Sequence, residues 1–317
     1  MKKSDKSIIE HTNDFLEYLD IEKGLSNKSQ ETYQRFLKKF VNWLKINNLE
    51  TLSPHELSED HIRKYRMFLS QSFNKNTKEP IRRSTQNYYL IILRNLLNYF
   101  TDRDIISLPS EKIKLAKSKS DERVIKFLPI DQIKKLLDAP KTSTLTGLRD
   151  RAILETLFST GLRVAELANL NKEQLKIAPS LTKDLEIVII GKGSRPRPVY
   201  FSERAVKWIG KYLETRKDKE KALFINYKGP KSAPRRLSPR SVEDIVKKYA
   251  ILAGVPAFTS PHTIRHSFAT DLLMKGVDLK TIQEFLGHKN ISTTQIYAHV
   301  TSKKLRDTHR KFHSLKE

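Results

Sequence analysis

Apolar residues at helical spacing run through the first hundred residues of this chain, and they limit that region to packed helices. Ile8, Ile9, Phe15, Leu16 and Leu19 recur on one face, and Gly24 ends the segment. Tyr33, Phe36, Leu37, Phe40, Val41 and Leu44 form a second stripe within Ser29 to Ile46. Ser58 stands where an N-cap is needed for a third helix through Leu69, and Ser84 to Phe100 makes a fourth. Four helices with short connections predict a compact all-α domain over residues 1–109. The most apolar stretch, Tyr88 to Phe100, is broken by Arg94, Asn95 and Asn98. It falls short of the roughly 18 uninterrupted apolar residues of a membrane span.

Ser110 to Lys126 carries six basic and three acidic residues and few large apolar ones, which reads as a basic linker over 110–126. A second domain is expected over 127–317. Short helices are predicted at Pro129 to Leu137 and Gly147 to Phe158, and another starts around Arg163 and includes Glu166 to Leu170. The periodicity then changes. Leu185 to Ile190 is β-rich, Gly191-Lys192-Gly193-Ser194 supplies a turn, and Arg197 to Phe201 returns as a strand. Pro196 and Pro198 make that return an edge or irregular strand. Leu223 to Asn226 reads as a third short strand. Helices resume at Ser202 to Thr215, Ser238 to Ala253, His262 to Met274 and Leu279 to Phe285, and a last helical stretch carries Tyr297. The fold class is therefore mainly α, with a small β-hairpin in the second domain.

The charge names a class of partner. Sixty Lys and Arg against thirty-six Asp and Glu give +24, with a pI near 9.9. An excess of this size, spread over both halves, argues for a polyanion, and nucleic acid is the commonest. The chain has no cysteine, which excludes disulfides, thiolate chemistry and cysteine-based zinc sites. Its first residues, Met1-Lys2-Lys3-Ser4-Asp5-Lys6, are basic and lack the apolar stretch of a signal peptide. The expected location is the cytoplasm, at the nucleoid, with no membrane partner.

Six residues carry chemistry together. Arg163 lies in Thr160-Gly161-Leu162-Arg163-Val164-Ala165-Glu166-Leu167, and Lys192 in Gly191-Lys192-Gly193. His262 and Arg265 form a His-x-x-Arg pair, one turn apart on one helix face. His288 closes Leu286-Gly287-His288, and Tyr297 follows nine residues later. This set suits phosphoryl transfer at a DNA phosphate without a metal or other cofactor. Guanidinium groups such as Arg163 and Arg265 match phosphate oxygens bidentately and stay charged. Tyr297 is the candidate nucleophile, and Lys192 the candidate acid for the leaving oxygen. His262 suits an acid or base role, and His288 a hydrogen bond to a non-bridging oxygen. Any one of these residues alone is ordinary, and their order and spacing together carry the reading. Glu166, one turn after Arg163, either orients a neighbouring group or forms a surface ion pair.

The order Arg, Lys, His-x-x-Arg, Leu-Gly-His, Tyr resembles the tyrosine recombinase family, also called the phage integrase family. Thr160 to Leu167, Ser260 to Asp271 and Leu286 to Tyr297 look like its three conserved boxes, with Ile264 where Leu is more usual. The resemblance implies a helical, SAM-like core-binding domain and a catalytic domain that close around DNA as a clamp. It implies site-specific cleavage and rejoining through a 3′-phosphotyrosyl intermediate at Tyr297. The size and the tail from Leu305 to His313 look most like the Xer group, which resolves chromosome dimers. Leu305, Phe312 and Leu315 would then be anchors docking into a neighbouring subunit of a tetramer on a double-stranded recombination site. A second recombinase or a DNA translocase remains open as a further partner.

Other readings stand beside this one. An integrase or transposase of a mobile element would use the same residues, as would a type IB topoisomerase-like relaxer. A non-catalytic DNA-binding protein accounts for the charge but not for the six residues. A metal hydrolase would use His262 and His266, four apart, with His288, but no carboxylate cluster accompanies them.

Overall fold

The structure, a computed structural model, describes residues 1–74, 77–116, 126–175, 185–190, 196–228, 233, 235–288, 290 and 294. The chain divides into two compact units, Met1–Glu122 and Arg123–Glu317.

The first unit is helical. Its helices are α1 (Ile8–Ile21), α2 (Asn27–Ile46), α3 (Glu59–Gln71) and α4 (Arg83–Asp102). Polar caps set where two of them begin. Ser7 accepts the Glu10 amide while the Glu10 carboxylate takes the Ser7 amide at 2.7 Å, a reciprocal box that starts α1. Ser58 caps α3 as its sequence suggests. The predicted stripes bury Phe15, Phe40, Leu44, Tyr65, Leu69, Leu93 and Phe100 in one core.

The second unit is organised around one helix. In chain order it contains α5 (Ile130–Asp138), α6 (Leu145–Thr160), α7 (Val164–Ala168), β1 (Leu185–Ile190), β2 (Pro196–Phe201), α8 (Glu203–Glu214), α9 (Pro239–Leu252), α10 (Pro261–Met274) and α11 (Leu279–Leu286). Helices α5, α7, α8, α9 and α10, together with β2, all pack on α6. Its polar residues are buried as well, so each needs a partner. Arg149 pairs with Asp150 at 2.6 Å, and Asp150 accepts the Tyr249 hydroxyl of α9 at 3.0 Å. Glu155 accepts Arg151 and, from α8, Arg204.

Strands β1 and β2 form a two-stranded antiparallel sheet among the described residues, running from Leu185↔Phe201 to Ile190↔Pro196. The two prolines do not break it. They stand two apart, so both missing N–H groups lie along the same edge of the strand, away from β1. The expected third strand at Leu223 to Asn226 is not one. Within it Ile225 forms an isolated bridge to Arg236, and Ala222, just before it, bridges a different partner, Asn171. Leu223, Phe224 and Ile225 are all buried, so the segment threads through the core without a continuous neighbour to build a ladder. Its β-like composition reflects burial from every side.

The segment 191–195 with Lys192, the middle of the basic linker, the stretch carrying Tyr297 and the tail from Ser302 lie outside the described residues. Among the described residues no helix is long and apolar enough to cross a membrane.

Candidate active site

Two left-handed glycines set the frame. Gly161 (φ 60°) ends α6, and Gly287 (φ 61°) ends α11. Each is also crowded. A Cβ on Gly161 would stand 2.5 Å from the Phe268 ring, and one on Gly287 would stand 2.5 Å from Arg197 Nε. Both the backbone conformation and the space require glycine at these two positions.

The last carbonyls of a helix have no donor within the helix and form the negative end of its dipole. Here arginines supply the donors. Arg265, on α10, gives Nη1 to the Gly161 carbonyl and Nη2 to the Leu286 carbonyl, both at 2.6 Å. Arg163 gives Nη2 to the Gly287 carbonyl at 3.1 Å. Arg197, on β2, reaches the Phe285 carbonyl at 3.4 Å. The ends of α6 and α11 are thus tied to α10, to the start of α7 and to the hairpin by guanidinium groups. The charges so gathered face a single locale.

Glu166 resolves the alternative left open for it. It is no surface residue: its side chain is 9% exposed. One oxygen accepts the Arg163 amide at 2.9 Å and Arg197 Nη2 at 2.7 Å, and the other accepts Arg163 Nη1 at 2.9 Å. Burial alone would raise its pKa. The Arg163 amide, the Arg197 charge and the Arg163 guanidinium outweigh that and hold it below the usual carboxylate value.

The histidines sit against these cations. His262 and Arg265 are one turn apart on α10, which Ser260 caps and Pro261 opens. His262 is solvent-exposed as a residue, yet desolvation of its ring, followed by the charges of Arg265 and Arg163, lowers its pKa. His288 is lowered to about 4 by burial first, then by Arg265 and Arg163. Its Nδ1 lies 3.0 Å from the hydroxyl of the buried Thr294, which fixes the ring and leaves Nε2 as the other hydrogen-bonding atom. His266 is lowered to about 4 by burial and by His262, whose ring centre is 5.1 Å away. Among the described residues no group of three or more His, Cys, Asp or Glu is placed to hold a metal.

Of the six candidates, Arg163, His262, Arg265 and His288 are brought together, while Lys192 and Tyr297 lie outside the described residues. Arg163 has a partly open side chain, 31% exposed, whereas Arg265 is 2% exposed and forms the floor. Arg197 and Thr294 were not singled out from the sequence. A signal for Arg197 was present: alternation along Pro196 to Phe201 puts it in phase with inward-facing Val199 and Phe201.

Residues 126–304 match the phage integrase family, and residues 12–104 match its N-terminal SAM-like domain. The tyrosine recombinase XerD of Listeria monocytogenes is 34% identical over 307 residues, covering 95% of this chain and 97% of that protein. The tyrosine recombinase XerC of Thermodesulfovibrio yellowstonii is 36% identical over 310 residues, covering 95% of each. Among solved structures, a XerH site-specific recombinase in a post-cleavage complex with palindromic difH substrate aligns with a TM-score of 0.70 and 23% identity, over 88% of this chain and 78% of that one. The Tn1549 transposon integrase in complex with circular intermediate DNA aligns with a TM-score of 0.71 and 16% identity, over 95% and 98%. The likeness to these two structures is one of fold. With a buried arginine floor, His-x-x-Arg on α10 and likeness to Xer proteins along nearly its whole length, the chain belongs to the phage integrase family of tyrosine recombinases.

Proposed function

We propose that this recombinase cleaves and rejoins DNA by two transesterifications through Tyr297. In the first, the phenolic oxygen of Tyr297 bonds to phosphorus, the bond from phosphorus to the 5′ oxygen breaks, and a 3′-phosphotyrosyl ester and a free 5′ hydroxyl result. Arg163, at the open side, and Arg265, at the floor, hold the non-bridging oxygens as charge builds on them. Lys192 protonates the departing 5′ oxygen. The lowered pKa of His262 makes it a neutral imidazole at pH 7, able to take the phenolic proton. His288, neutral and oriented by Thr294, uses Nε2 toward a phosphate oxygen. In the second step a 5′ hydroxyl attacks the ester and releases Tyr297. The ester retains the energy of the broken bond, so no nucleotide is consumed and no metal is needed.

The observation that carries this reading is the joint grip of Arg163 and Arg265 on consecutive carbonyls at the end of α11, beside His288. We further propose domains over 1–109 and 127–317 joined by the basic segment 110–126, and a Xer-type role in resolving chromosome dimers. Similarity to XerC and XerD at 34–36% over 95% of the chain supports that role over one in a mobile element. Assembly into a tetramer on DNA would use the tail, with Leu305, Phe312 and Leu315 as anchors. An apolar cleft of about 370 Å³ lined by Pro198, Tyr200, Phe268, Leu272 and Phe285 has the chemistry to receive them.

The test is a nicked suicide DNA carrying a candidate recombination site, incubated with protein in EDTA. Wild type should form an adduct that survives denaturation. Tyr297→Phe should bind the DNA and form none. An adduct with Tyr297→Phe, or adduct formation abolished by EDTA, would overturn the assignment.

A further inference from the structure

Strand β2 carries a charge where its register calls for a hydrophobe. Arg197 alternates inward with Val199 and Phe201, and its side chain is 10% exposed. Departures from the local pattern of this kind concentrate where function requires them. Exposure does not set Arg197 apart, since Arg265 is buried more deeply; its partners do. What it touches is Glu166, at 2.7 Å, and the carbonyl of Phe285, at 3.4 Å. Its Nε is buried with no hydrogen-bond partner and lies against Gly287, where a Cβ would leave no room. The guanidinium is therefore oriented by Glu166 rather than by satisfaction of all its own donors.

We propose that Arg197 is a positioning residue for cleavage: it holds Glu166 so that Glu166 holds Arg163, and it seats the end of α11 that presents His288. This role rests on the cleavage reading given above. Glu166 binds two guanidinium groups and one amide with two oxygens, so its rotamer is set from both sides. Without Arg197, the oxygen facing β2 keeps only the Arg163 amide. Glu166 is then free to draw the Arg163 guanidinium away from the Gly287 carbonyl. Lysine is a poor substitute, because a single ammonium lacks the planar fork that spans Glu166 and Phe285.

The experiment measures single-turnover adduct formation on suicide DNA by the full chain. Arg197→Met and Arg197→Lys are each made in wild-type and Arg163→Lys backgrounds, and binding to uncleaved DNA is measured alongside. In the wild-type background Arg197→Met should slow adduct formation by about 10- to 100-fold, by analogy with the loss of a partner that orients a metal ligand. DNA affinity should change less than about threefold. In the Arg163→Lys background the same substitution should slow the remaining reaction by less than about threefold, because the guanidinium it positions is already gone. Should Arg197→Met fail to fold, Arg197→Lys decides by the same inequality. Equal losses in both backgrounds, as a merely structural residue would give, overturn the proposal, as does no loss at all. Wild type without adduct would overturn the cleavage reading, and this role with it.

Discussion

Arg265 sits at 2% exposure with two backbone carbonyls as partners, and the cost of burying its charge is offset by the negative ends of α6 and α11. Burial first, and the charge of Arg265 in addition, depress His266 and His288. This has a consequence for stability. The unfolded chain protonates His266 and His288 as pH falls below 6.5, whereas the folded chain does so near 4. The unfolded state gains protons first, so stability is complete above pH 6.5 and is lost as pH falls toward 4. The melting temperature should drop across that window, and His288→Asn should reduce the drop. A melting temperature flat from pH 7 to 4.5 would show that the histidines are not held neutral. The glycines give a second prediction at this scale. Gly254 also has a positive φ (63°) but open space around it, so Gly254→Ala should cost about 1 kcal/mol from backbone strain alone. Gly287→Ala adds a collision with Arg197, which cannot move without releasing Glu166, and should cost about 2–4 kcal/mol by denaturant titration. Equal losses would mean that Arg197 yields freely. At this scale the sequence pointed to Arg163, His262, Arg265 and His288 as one set, because their spacing follows from one helix face and from helix ends. It did not single out Arg197, whose partners Glu166 and Phe285 are far away in the chain, or Thr294, six residues beyond His288.

Helix α11 is only eight residues long, yet its C-terminal end is held by three arginines. Its start depends on Asp278, whose carboxylate accepts the amides of Lys280 and Thr281 at 2.9 and 3.0 Å. Asp278→Ala should lose about 1 kcal/mol of stability. It should also raise hydrogen exchange in α11 more than in α6, and slow cleavage, since the helix presents its carbonyls to Arg265 and Arg163. Cleavage at the wild-type rate with α11 frayed would separate this helix from the reaction. The helices were legible from periodicity and from one cap: α1 begins at Ile8, α3 begins after Ser58, and Leu185 to Ile190 is a strand throughout. Leu223 to Asn226 misled because a segment buried on all sides and a strand in a sheet have the same composition. The prolines of β2 suggested an edge or irregular strand, and β2 is an edge of the two-stranded sheet, its ladder running past both.

Over the whole molecule, a charge of +24 makes DNA affinity an electrostatic quantity first. Binding should weaken by about 10²- to 10³-fold or more between 50 and 200 mM salt, as expected for a protein that neutralises several phosphates. A log–log slope near zero would remove the basic surface from the account. Both units contribute basic residues, and each has its own core, so separate fragments can apportion the slope between them. The covalent step, by contrast, belongs to one phenolic oxygen. Protease digestion of the trapped protein–DNA adduct, followed by mass spectrometry, locates it directly. The account predicts a single modified peptide containing Tyr297, with the nucleotide joined through its 3′ phosphate. Attachment at any other residue, or through a 5′ phosphate, would contradict it.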